Sequence, residues 1–434
     1  MRAYDIILKK RNGEKLSKEE IEYMIMGYVK GEIPDYQMSA FLMAIYFQHL
    51  DEEETYFFTE TMMRSGEMLD LSSIPGKKVD KHSTGGVGDK TTLVVAPLVA
   101  SCGVIVAKMS GRSLGHTGGT IDKLESIPGF RTSLSFEEFI SNVKEHGIAI
   151  VGQTGELVPA DKKIYALRDA TATVDEISLI ASSIMSKKLA GGSDAFVLDV
   201  KFGSGAFMKS KEKARELGKM MVSIGKLHGK RVVAVLSNMD QPLGKMVGNS
   251  LEVIEAIETL KGKGPEDLTE LSLCLASYML YLAGVSDLKD ARETLKRKME
   301  NGEALEKFKE MIEAQGGNGR VIEDYSLLPI SKEVVEVLSD KEGFVEKMDT
   351  EKIGVASMVL GAGRKRKEDK IDHSVGVEVL KKLGDKVSKG EPLVKLYCSE
   401  KSDVETAKKL VKNAYFISEQ PPKEEFKLIH EVIG

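Results

Sequence analysis

The chain has no tryptophan, only three cysteines and eleven prolines in 434 residues, and 6% aromatic content. Cys102, Cys274 and Cys398 lie far apart without CxxC spacing. That excludes a disulfide scaffold or zinc ribbon and reads as reduced, buried thiols. Neither sign of charge dominates: 62 Lys and Arg face 67 Asp and Glu, a net of −5. This argues against a nucleic-acid-binding protein, which carries a basic excess. The basic run Arg364–Lys367 is followed at once by acids and reads as a solvated loop. Long apolar runs are also missing. Leu271–Val285 is the most apolar stretch, and it is too short to span a bilayer. The N-terminus, MRAYDIILKKRNGEKLS, has no signal-peptide core. A soluble, cytoplasmic protein with no membrane partner is expected.

What is present is organised in blocks. A hydrophobic content of 42% is enough for two or three packed domains. The first seventy residues read as helices. Ser17 with Glu20 makes a capping box, Pro34 opens a stripe of Met38, Phe41, Leu42 and Ile45, and Asp51 caps the next helix. From about Lys77, β-rich runs alternate with helical stretches: Lys78–Asp80, Val104–Met109, Ile148–Val151, Phe196–Val200 and Arg231–Leu236. The alternation predicts an α/β domain with parallel strand pairs. A helical excursion over Lys162–Leu189 interrupts it. The expected organisation is a helical domain (1–70 and 162–192) facing a mixed α/β domain (71–161 and 193–325) across a cleft. A C-terminal β-rich domain (330–434) follows. It has the shape of a lipoyl or biotinyl carrier but lacks the hairpin-tip lysine motif, so it reads as structural packing.

Two glycine-rich stretches carry the chemistry. KHSTGGVGDKTT, residues 81–92, follows a strand-like run, and Gly85, Gly86 and Gly88 let backbone N–H groups approach a ligand. Lys81 adds charge, while Ser83, Thr84, Thr91 and Thr92 add hydroxyls. The run Thr92–Ala100 reads as a helix whose N-terminus favours an anion. The spacing is not that of an ATP-type P-loop. The second stretch, AKMSGRSLGHTGGTIDKLES at 107–126, repeats the composition with Lys108, Ser110, Gly111, Gly115, Gly118, Gly119 and Thr120. Two such loops after two strands converge at one end of a sheet. Two lysines, hydroxyls and free N–H groups suit inorganic phosphate.

These motifs resemble those of the pyrimidine-nucleoside and thymidine phosphorylases, whose wider relative is the anthranilate phosphoribosyltransferase-like fold. The resemblance rests on KHSTGGVGDK, SGRSLGHTGGTIDKLE, YALRDATATVDEISLIASSIMSKKLA at 165–190, DVKFGSGAF at 199–207 and QPLG at 241–244, and it covers essentially the whole chain. One departure is Ser113, where the family usually has Gly or Ala. The resemblance implies reversible phosphorolysis of uridine, thymidine and deoxyuridine to free base and pentose 1-phosphate. Phosphate is then a co-substrate, no organic cofactor is needed, and the enzyme is a homodimer. Carried over by motif, Lys81, His82, Ser83, Thr92, Lys108, Met109, Ser110 and Thr120 bind phosphate. Arg168, Ser183 and Lys187 bind the pyrimidine, and His82, Arg168 and Lys187 are the catalytic set. AKMS at 107–110 resembles the branch with broad pyrimidine specificity.

The residue types suit that chemistry. Phosphate is itself the nucleophile, so no Ser/His/Asp set is required. Arg168 and Lys187 stabilise negative charge on the departing base, and His82 donates a proton or a hydrogen bond to it. Taken singly, Arg168 beside Asp169 reads more often as a local ion pair than as a base clamp, and Lys187-Lys188 as a solvated face. Two other readings stand beside this one: a magnesium-dependent phosphoribosyltransferase, for which no adjacent acidic pair is placed, and a binding protein that has lost turnover.

The resemblance also implies a potassium site at Gly88, Lys90, Leu243, Met246 and Glu255. Relatives that hold the ion have a small hydroxyl residue at position 90. Two outcomes are open: the main-chain oxygens keep the ion, or the Lys90 ammonium reaches Glu255 and replaces it.

Overall fold

The computed structural model describes residues 1–112, 118–153, 157–364, 366 and 369–434. Helices come first: α1 (Ala3–Arg11), α2 (Lys18–Lys30), α3 (Asp35–Gln48) and α4 (Glu52–Met63). The Ser17–Glu20 and Asp51–Glu54 capping boxes are both closed, each satisfying two otherwise orphaned N–H groups. Met38, Phe41, Leu42 and Ile45 are fully buried.

The chain continues through β1 (Val79–Ser83), α5 (Thr91–Ala100), β2 (Val106–Ser110), α6 (Thr120–Leu124), α7 (Phe136–His146) and β3 (Ile148–Gly152). Then α8 (Pro159–Ala170) and α9 (Ile177–Ala190) return to the N-terminal helices. The excursion is therefore two helices with a break at residues 171–176, not one stretch. Next come β4 (Ala195–Phe202), α10 (Lys211–Leu227), β5 (Arg231–Asn238), β6 (Met246–Gly248), α11 (Ser250–Leu260), α12 (Glu266–Ala283), α13 (Leu288–Glu300) and α14 (Glu303–Ala314). The C-terminal part holds β7 (Glu333–Leu338), β8 (Gly343–Met348), α15 (Thr350–Ser357), β9 (Gly376–Val379), β10 (Lys386–Val387), β11 (Pro392–Cys398), α16 (Val404–Ala414), β12 (Tyr415–Ser418) and β13 (Ile429–Ile433).

In the central sheet β1, β4 and β5 run parallel, as do β2 and β3. A parallel bridge between Lys78 and Ile105 joins the two groups. The C-terminal ends of β1 and β2, with Ser83 and Ser110, therefore lie at the same edge of the sheet. One face packs against α5, α11 and α12, where Leu93, Val197, Ile257 and Leu275 share a core. On the other face Phe196, Leu198 and Val200 join α10 and the helical layer, including Ile21, Phe41, Ile164 and Met185.

The expected boundaries are crossed in both directions. β13, from the last residues, pairs antiparallel with β5 and closes the central sheet. β6 leaves the α/β segment and pairs with β9 in the sheet ordered β6-β9-β11-β7. Val87, inside the first glycine-rich loop, is buried in the C-terminal core with Val247, Ile353 and Val377. The C-terminal β-rich part thus positions the first loop. No helix among the described residues is long and apolar enough to cross a membrane.

Candidate active site

β1 runs on to Ser83, beyond the expected end at Asp80, so Lys81 and His82 are strand residues pointing to opposite sides. Lys81 is buried, and His82 only partly. The Lys81 ammonium donates to Thr91 Oγ1 at 2.5 Å, with Asp89 and Asp199 carboxylates each at 3.9 Å. Thr91 Oγ1 in turn donates to Asp89 Oδ1 at 2.6 Å. Burial pushes the Lys81 ammonium below its ordinary range, and the two carboxylates oppose that fall. In the turn, Gly85 N–H donates to Ser83 Oγ at 3.1 Å. Gly88 needs to be glycine: its φ is +76°, and a Cβ there would lie 2.6 Å from the Leu243 carbonyl oxygen.

Lys108, on β2, donates to Asp80 Oδ1 at 3.0 Å and to the Lys81 carbonyl. Burial and the nearby Lys188 and Lys81 ammoniums take Lys108 down to about 8, against the pull of Asp80. Burial alone would raise Asp80, but Lys108 and Lys188 override it and hold the carboxyl at about 2. His82 is pushed well below the ordinary imidazole range, first by burial and then by Lys188 and Lys108. It is neutral at pH 7 and offers an N–H, not an imidazolium. Thr92 and Ser110 are buried at the same strand-end edge, Met109 is partly buried between Lys108 and Ser110, and Thr120 opens α6. Ser113 and Gly115 of the second signature lie outside the described residues.

The second group sits on α8 and α9. Ser183 and Lys187, one helical turn apart, meet: Lys187 Nζ donates to Ser183 Oγ at 3.0 Å and pairs with Asp161 of α8. The other Asp161 oxygen is buried without a partner. Arg168 does not pair with Asp169 as a surface ion pair. Its guanidinium is buried and donates to the carbonyls of Thr173 (3.2 Å), Leu179 (3.1 Å) and Val174 (2.5 Å). Those three bonds fix the break between α8 and α9 and leave two of five N–H donors for a ligand.

Residues at the expected potassium positions are together, with an ammonium among them. Lys90 Nζ donates to Leu243 O and Met246 O, each at 2.8 Å, and to Glu255 Oε2 at 2.5 Å. All three ammonium protons are spent. As arranged, these residues do not fit a potassium ion. Sequence reasoning gave no role to Asp80, Asp89 and Asp161, took Thr91 only as a loop hydroxyl and read Lys188 as half of a solvated face. For Asp80 and Asp89 the one signal was a charge immediately beside Lys81 and Lys90. No group of His, Cys, Asp and Glu suited to hold a metal ion occurs among the described residues.

Comparison with known proteins places the chain in a family. Residues 75–305 match the glycosyl transferase family a/b domain, and residues 4–66 match the helical bundle domain of the same family. Residues 344–418 match the pyrimidine nucleoside phosphorylase C-terminal domain. The fold is that of a solved anthranilate phosphoribosyltransferase from Thermus thermophilus, with a TM-score of 0.58 at 19% identity over 72% of this chain and 99% of that one. A pyrimidine-nucleoside phosphorylase of Geobacillus stearothermophilus is 56% identical, covering 95% of this chain and 96% of its own. That of Bacillus subtilis strain 168 is 55% identical over the full length of both. The chain belongs to the pyrimidine-nucleoside phosphorylase family of glycosyl transferases.

Proposed function

We propose that the protein catalyses reversible phosphorolysis of pyrimidine nucleosides, with uridine, thymidine and deoxyuridine as substrates. The observation that carries this reading is the pairing of two cationic groups on separate layers. Lys81 and Lys108 stand at adjacent parallel strand ends, and Arg168 and Lys187 stand on the returning helix pair. Phosphate held by Lys81, Ser83, Thr92, Lys108, Ser110 and Thr120 attacks C1′ as the C1′–N1 bond breaks. The bonding pair leaves with the base and spreads onto O2 and O4. Arg168, Ser183 and Lys187 hold that charge, and neutral His82 donates a hydrogen bond to it. Lys187 exchanges its pairing with Asp161 for the base as substrate enters.

Phosphate-dependent release of uracil from uridine tests the reading directly. Base release that requires pyrophosphate instead, or phosphoribosyl transfer requiring magnesium, would replace it. Domain closure about Ile74–Lys77, the Gly152–Asp161 segment and Gly191-Gly192 brings the two groups together; Thr154, Gly155 and Glu156 of the middle segment lie outside the described residues. The enzyme acts in the cytoplasm as a homodimer through its N-terminal helices. Tyr4, Tyr36 and Phe47, exposed by 63%, 75% and 70%, support that interface. It works without potassium, because the Lys90 ammonium takes the oxygens an ion would need.

A further inference from the structure

One buried carboxylate in this site serves two ammoniums. Asp80 accepts from Lys108 on Oδ1 at 3.0 Å and from Lys188 on Oδ2 at 2.8 Å, and all three side chains are buried. Lys188 follows Lys187 on α9, but consecutive helical residues diverge by about 100°. Lys187 turns to Asp161 on α8, whereas Lys188 reaches β1 and also donates to the Met109 carbonyl of β2 at 3.3 Å. One helix thus puts one lysine into each half of the site. Lys188 also lies three residues before Gly191-Gly192, close to a proposed hinge, where closure displaces it least.

We propose that Lys188, acting through Asp80, is a positioning residue for phosphate: it keeps Asp80 from neutralising Lys108 and ties the base-binding helix to the phosphate strands near the pivot of closure. The inference rests on the phosphorolytic reading of the site. Two ammoniums on one carboxylate leave a net positive charge beside the glycine-rich loops. Without Lys188, Asp80 is free to engage Lys108 alone, and the pair becomes neutral. The charged and titratable groups facing Lys108 are Asp80, Lys81 and His82 from β1 and Lys188 from α9; β3, its other neighbour, contributes none. Asp80 and Lys188 therefore act on Lys108 in opposite senses. A purely structural role has no such signature.

The test is kcat and KM for phosphate and for uridine between about pH 6 and pH 10 in wild type, Lys188→Met, Lys188→Arg and Asp80→Asn. Comparison with wild type cancels the ionisation of phosphate itself. In Lys188→Met, KM for phosphate should rise about 10- to 100-fold, with KM for uridine changing much less. Its alkaline limb for phosphate should move up by about one pH unit, and that of Asp80→Asn down by about one. Lys188→Arg should keep the wild-type limb. Limbs that stay put or move together, or a loss confined to uridine, would overturn the role of the pair. Should Lys188→Met not fold, Lys188→Gln takes its place, with the same upward limb expected. Wild type that releases base with phosphate while these limbs do not move sinks this inference alone. Wild type that releases no base overturns the phosphorolytic reading and this inference with it.

Discussion

Lys81 and Arg168 show how differently two cations of the proposed site are held. Lys81 donates to Thr91 Oγ1 at 2.5 Å, while the Asp89 and Asp199 carboxylates, each 3.9 Å away, oppose the downward push of burial on its ammonium. Arg168 spends three donors on carbonyls and is rigid before any ligand arrives. Lys81→Ala is expected to raise KM for phosphate, and Arg168→Ala to raise KM for nucleoside while lowering kcat. Each loss is on the order of 2–4 kcal/mol, or about 30- to 1000-fold. Steady-state kinetics with each substrate varied separately checks the split; Arg168→Ala turning over uridine at the wild-type rate would remove the base-clamp role. Asp80 makes a second prediction. Its folded carboxyl sits at about 2, against about 3.9 in an unfolded chain. The depressed value means its stabilisation is complete above about pH 4 and is lost as pH falls toward 2. It amounts to about 2–3 kcal/mol. Asp80→Asn should therefore flatten the acid limb of a urea-unfolding series between those pH values.

At the scale of elements, Lys90 joins three of them. It is the residue before α5, and it bonds the Leu243 carbonyl, the Met246 carbonyl at the start of β6 and Glu255 on α11. The first glycine-rich loop is thereby fastened from below, while Val87 anchors it in the C-terminal core. Lys90→Thr leaves Glu255 buried without its cation, which should cost about 3–5 kcal/mol in potassium-free buffer. Adding potassium, but not the same ionic strength of a bulky organic cation, should restore the melting temperature. Wild type should show no such response. A variant indifferent to potassium, or a wild type that needs it, would show that the ammonium does not stand in for an ion.

At the scale of the molecule, the helical layer and the sheet meet at Phe196, Leu198 and Val200, and the chain crosses between them before α8 and after α9. Bound phosphate and a non-reactive nucleoside analogue together should lower the radius of gyration, because the two cationic groups must converge on one ligand. Identical scattering profiles with and without both would argue that the empty protein is already closed. Light scattering after size exclusion should give twice the mass of a 434-residue chain. A monomer at working concentration would leave Tyr4, Tyr36 and Phe47 without the proposed partner.

The sequence by itself determined the local features, because their causes are local. Capping boxes at Ser17 and Asp51, the alternation of strands and helices, the glycines of the two loops and the i, i+4 pairing of Ser183 with Lys187 all depend on near neighbours along the chain. The motifs around Lys81, Lys108 and Arg168 also carried the family. Tertiary structure alone decided what depends on distant partners. It paired β13 with β5 and β6 with β9 across the expected boundaries, since strand pairing is set by edges that no single segment specifies. It also brought Leu243, Met246 and Glu255 within hydrogen-bond reach of the Lys90 ammonium. And it turned Lys188, which reads along the chain as half of a solvated pair, inward onto Asp80. Charge is legible in a sequence, but whether water or a buried carboxylate surrounds it is a property of the packed fold.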